Sequence, residues 1–181
     1  MQPPNAELLA QCLAGLDAAT SIAPIASAAI EAQPEHAIFY FLRGTDHAAR
    51  GDMLAARQDF ATALVLEPEH TLARLQYIFC CMTPQLLPMV AVLLQPLLQA
   101  TARLEQLYGQ ALLYWLQDQP AEFQQVIAEL QQTPAAVPAV IDNLLRLQSS
   151  LTQNDTKGLA EQTNDGAEVS AVLLEIYQQK H

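Results

Sequence analysis

Positive charge is scarce in this chain. Only two residues are lysines, Lys157 and Lys180, and eight basic residues face 19 acidic ones, for a net charge of −11. A nucleic-acid binder needs cations to displace counterions from phosphates, so no nucleic-acid partner is expected. Adhesion to an anionic membrane surface is disfavoured on the same ground. Long apolar runs are missing too. The most apolar stretch, LLPMVAVLLQPLLQA at 86–100, carries two prolines and two glutamines and is shorter than the ~20 residues a span needs. It reads as a buried helix, with no membrane insertion.

Cysteine is represented by Cys12 and the adjacent pair Cys80 and Cys81. An odd count with an adjacent pair does not fit a secreted disulfide framework. The opening MQPPNAELLAQCLAGL has neither a basic head nor an uninterrupted apolar run, so it does not read as a signal peptide. The expected localisation is cytoplasmic.

Chemistry-bearing patterns are equally thin. The chain has six glycines, no glycine-rich phosphate loop and no Cys-x-x-Cys. Glu67 and His70 have Glu-x-x-His spacing, but a di-iron bundle needs a second such motif and two further carboxylates on facing helices. Cys80 and Cys81 fall in the apolar YIFCCM, and Trp115 in the apolar LLYWL, so packing accounts for all three. His36, His47 and His181 lack evident partners. The chain is therefore expected not to be an enzyme, with no catalytic residue, no metal ligand and no cofactor.

What is present favours helix. Leu, Ala and Gln dominate, and these side chains lose little freedom in a helix. Helical spacing predicts helices over 5–17, 18–32, 36–50, 53–66, 70–82, 85–100, 102–117, 120–132 and 137–151. Asn5 is a candidate N-cap, Pro24 a kink unless it lies in a first turn, and Thr83-Pro84 a helix entry. Residues 152–166 read as a polar loop. Val169, Val172, Leu173, Ile176 and Tyr177 predict a C-terminal helix in 167–181 that packs back on the rest. No segment alternates as a strand would.

Pro34 and Pro68 stand 34 positions apart, each followed by Glu-His. Within 37–70, Gly44, Gly51, Ala56, Phe60, Ala63 and Pro68 stand at the spacings of one tetratricopeptide (TPR) repeat, which this segment resembles. Small residues at Gly44 and Ala56 suit close helix approach, Gly51 a tight turn, and Pro68 a helix stop. Other units are degenerate: 102–134 keeps Gly109, Ala121 and Ala128 in register, and 71–101 and 3–36 keep little. The resemblance implies an all-α fold. Over 1–151 it would be a TPR-like right-handed helical solenoid of about four antiparallel helix pairs, followed by the C-terminal packing helix.

The resemblance also implies a concave groove lined by the first helix of each pair. Its candidate residues are Ile38, Phe41 and Thr45, then Leu72, Leu75, Phe79 and Met82, then Gln106, Gln110 and Tyr114. The groove would be mostly apolar. The Lys-Asn-Arg clamp with which some TPR domains hold a peptide carboxylate is missing, Arg103 being the one cation nearby. The expected function is a protein–protein interaction module, an adaptor, scaffold or chaperone. It would hold an apolar or basic segment of another protein. The alternative is a structural subunit or homo-oligomer whose groove is filled by self-contacts.

Overall fold

The computed structural model describes residues 3–18 and 20–152, and these are all-α. The predicted loop beyond Thr152 and the predicted C-terminal helix, with His181, lie outside the described residues. The described chain contains α1 (Ala6–Asp17), α2 (Ala23–Ala32), α3 (Ala37–Ala49), α4 (Met53–Leu66) and α5 (Thr71–Phe79). After a 3-10 turn at Pro84–Leu86 come α6 (Leu87–Gln99), α7 (Arg103–Leu116), α8 (Pro120–Gln132) and α9 (Pro138–Thr152). None of these helices is long and apolar enough to cross a membrane.

The chain divides after Cys80 into two compact units, α1–α5 and α6–α9. In the first, α2 packs on α1 and α3, α3 on α4, and α4 on α5. Their shared core holds Phe39, Phe41, Leu42 and Phe60 with Ala26, Ala29, Ala56, Ala63 and Cys12. Each fully buried Phe or Leu contributes about 1.5–3 kcal/mol. In the second unit α7 packs on α6 and α8, and α9 lies against both α7 and α8. The predicted pair formed by 70–82 and 85–100 falls across the division.

Helix ends follow from local chemistry. Asn5 caps α1 by accepting from the Glu7 and Leu8 amides. The helix predicted over 18–32 begins only at Ala23, because Pro24 lacks an amide hydrogen and takes a first-turn place where no intrahelical bond is missed. Ile22 has no capping side chain there. Asp46 of α3 substitutes for one, accepting from the Ala23 amide (3.2 Å) and the Ser21 hydroxyl (2.9 Å). At Thr83-Pro84 the hydroxyl makes no capping bond, and the chain takes a 3-10 turn before α6 starts at Leu87-Pro88.

Two of the turns are the same structure. After α3 the Gly51 amide donates to Ala48 O and the Asp52 amide to His47 O. After α7 the Asp118 amide donates to Trp115 O and the Gln119 amide to Tyr114 O. Both are Schellman closures with a left-handed residue, Gly51 at φ 81° and Asp118 at φ 52°.

This equivalence corrects the predicted register. Gly51 and Asp118 stand 67 positions apart, whereas the alignment that put Gly109 opposite Gly44 uses 65. A shift of two residues turns a helix face by about 200°. Ala121 and Ala128, expected at close helix contacts, are accordingly exposed. On the turn-based register Ala111 matches Gly44 and Phe123, Ile127 and Leu130 match Ala56, Phe60 and Ala63, and all of these are buried. Gly109 serves another contact: a Cβ there would lie 3.1 Å from the Leu98 backbone nitrogen in α6.

Candidate binding surface

In the first unit the groove candidates sit on α3 and α5. Spacing along α3 sends Phe39, Leu42 and Thr45 inward, and Phe41 with them. Phe41 is only 1% exposed, its ring 4.8 Å from His70 and 6.0 Å from Phe60. Thr45 is buried, and its hydroxyl donates to Phe41 O (2.9 Å). Leu75 is fully buried. These three are core, and the expectation that they line an open groove is corrected. α3 is packed by both α2 and α4, so little of its circumference is left to solvent. Ile38, Leu72 and Phe79 remain half-buried, and Ile38 and Leu72 pack against one core cluster.

In the second unit Met82 is buried. Gln106 donates to Ala100 O (2.8 Å), closing the turn between α6 and α7. Gln110 and Tyr114 are half-buried. Arg103 is held by Glu129 through two bonds of 2.8 and 2.9 Å. Neighbouring polar groups are satisfied: the Val137 amide donates to the buried Tyr108 hydroxyl (2.8 Å), and the half-buried Trp115 indole donates to Leu147 O (2.9 Å). Burial raises the Tyr108 hydroxyl above its ordinary pKa, and the bond from Val137 opposes this.

Of the polar side chains buried in the first unit, Thr45, Asp46 and Asp59 have structural partners. Arg43 forks onto Asp59 with bonds of 2.7 and 2.8 Å and donates a third to Ser27 Oγ (3.0 Å). That bond to Asp59 lifts the guanidinium pKa further. His47 Nε2 lies 3.8 Å from the same carboxylate. Asp46 also accepts from Arg50 Nε (3.1 Å). His70, half of the Glu-x-x-His pair, caps α5 by accepting from the Ala73 amide, while Glu67 is exposed. His36 is buried beside Phe39, and its Nε2 has no hydrogen-bond partner. Cys12, Cys80 and Cys81 are buried, and burial pushes the Cys12 thiol up to about 11. Among the described residues no group of three His, Cys, Asp or Glu could hold a metal ion.

One surface escaped the sequence reading. The stretch 86–100 was expected to form a buried helix. In α6 only Val90, Leu93, Leu94 and Leu97 are buried, while Leu87, Met89 and Val92 are exposed. The inward set 90, 93, 94, 97 has helical spacing, but 87, 89, 91 and 92 are apolar too, so the sequence does not single it out. Overall hydrophobicity masked it.

Comparison with protein-family models, curated proteins and solved structures gives no match.

Proposed function

We propose that this chain is a non-enzymatic protein–protein interaction module. In this reading it is built from TPR-like helix hairpins and holds an apolar segment of another protein. The observation that carries the reading is the α3–α4 hairpin. Its Gly44 Cα is so close to the Phe60 ring that a Cβ would lie 2.8 Å from it, and its Schellman turn recurs between α7 and α8. A repeated, tightly packed hairpin with its buried polar groups engaged in capping and pairing is a scaffold; its function then rests on its surface.

On the TPR resemblance the first helices of the pairs, here α3 and α5, face the ligand. The side chains left to do so are Ile38, Leu72 and Phe79. A mostly apolar strip suits an apolar helix or extended segment seated by a few anchors. The −11 charge favours a basic flank on that segment during encounter. An adaptor, scaffold or chaperone acting in the cytoplasm fits these features.

The test is a paired capture with wild-type chain and an Ile38→Glu, Leu72→Glu chain, each checked for helicity by circular dichroism. Phe41 is unsuited to such a variant, because a charge at a 1% exposed position would unfold the unit. A protein retained by the wild type and lost by the folded variant supports the reading. Identical catches from both would remove α3 and α5 as the binding surface.

A further inference from the structure

α6 is the first helix of the second unit and packs on α7. A helix at the end of a stacked array needs a polar outer face to stay soluble. α6 departs from this. Val92 is 67% exposed, Met89 42% and Leu87 39%, and Ala91 is exposed beside them. Gln95 and Gln99 continue the same exposed side towards the end of the helix. None of these side chains is charged, and the whole run from Leu75 to Ala102 holds no charged residue, in a chain of net charge −11.

We infer that this face of α6 pairs with the same face of a second copy of the chain, forming a weak dimer. Charge argues for that occupant. Two chains of −11 repel wherever their acidic residues approach, so an uncharged face is where they meet at least cost. A basic segment, the partner that the net charge otherwise attracts, finds no carboxylate on α6. The face also suits itself. A two-fold contact sets one patch against an identical one. Here that shields Leu87, Met89 and Val92 of both copies from water, and the glutamines can bond across the contact without a charge being buried.

Area sets the strength. For the 13 residues of α6, a length of about 20 Å and a width of 10–12 Å give one side on the order of 300 Å². A stable interface takes roughly 800 Å² per partner. The dimer is therefore transient, with a Kd on the order of 100 µM.

The experiment is sedimentation of the full chain between about 10 µM and 1 mM, a span that brackets that Kd. The wild type should pass from monomer to dimer. Val92→Glu should weaken dimerisation at least about tenfold, because it sets like charges face to face. Val65→Glu, at an exposed position on α4, should change it little. Raising ionic strength from about 0.02 M to 0.5 M should tighten the dimer at least about threefold, since salt screens the repulsion between the chains. A contact built on ion pairs would weaken instead. Oxidation of Val92→Cys should give an interchain 92–92 bond whose yield grows with concentration and exceeds that of Val65→Cys. The native cysteines are buried. This arm decides the matter even where circular dichroism shows that Val92→Glu has lost its fold. A wild type still monomeric at about 1 mM would overturn the proposal. So would a dimer that folded Val92→Glu leaves intact, that salt weakens, or that is trapped equally from positions 92 and 65.

Discussion

Gly44→Ala should destabilise the protein even though alanine is the better helix former. In an unhindered helix interior the change stabilises by about 1 kcal/mol. Here the new Cβ would lie 2.8 Å from one carbon of the Phe60 ring, 3.0 Å from the next and 3.2 Å from the Asp59 Cβ. Neither neighbour can yield cheaply. Phe60 is fully buried against Phe41, and Asp59 is held by the Arg43 fork. Overpacking of that kind costs about 1–3 kcal/mol, and the rigidity of both neighbours places it at the upper end. The net loss is then about 1–2 kcal/mol, a fall in Tm of roughly 2–8 °C for a chain of this size. Thermal and urea melts followed by circular dichroism measure it. The equivalent position, Ala111, already carries a Cβ and is paired in register with Ile127, so Phe60→Ile should partly rescue Gly44→Ala. An unchanged or raised Tm, or strict additivity in the double variant, would refute the close-approach reasoning.

Other perturbations have outcomes that follow from single contacts. Asp59→Ala leaves the guanidinium of Arg43 without its fork; with Arg43 about a quarter exposed, the urea-measured loss should be about 2–3 kcal/mol, below the full cost for a buried pair. Tyr108→Phe leaves the buried Val137 amide without an acceptor and should cost about 1–3 kcal/mol by the same assay. Gly51→Ala should destabilise and Asp118→Gly stabilise, each by about 1 kcal/mol, since both positions are left-handed. Burial raises the folded pKa of Cys12 to about 11, above its unfolded value near 9, so the folded state holds its proton longer. The unfolded chain therefore loses the proton first as pH rises. This contribution is intact below about pH 9 and is lost progressively towards pH 11; urea midpoints should fall across that window, less so in Cys12→Ala.

Helix positions were legible because apolar spacing is a local property. Eight of the predicted segments match observed helices to within a few residues. The helix start at Ala23 was less legible, since its cap comes from Asp46 in another helix. Gly44, Gly51 and Phe60 could be read from spacing because each meets a demand of one hairpin. The register of the α7–α8 pair could not. Asp118 does there what glycine does at 51, so the residue type that signals a left-handed turn is missing, and Gly109 supplied a misleading anchor. The candidate binding surface was the least legible part. Position in a repeat says which way a helix faces, whereas the loss of Phe41, Thr45 and Leu75 to the core depends on neighbours from three helices. The outer face of α6 was obscured for the opposite reason: a helix apolar on all sides gives no signal of which side lacks a partner.

The most direct test of the interaction-module account is site-specific photo-crosslinking in cells, with a benzophenone amino acid in place of Leu72 and, as control, of Val65 on the exposed side of α4. The account predicts a discrete adduct with another protein at Leu72 and none of it at Val65. No adduct at Leu72, or the same adducts at both positions, would contradict it.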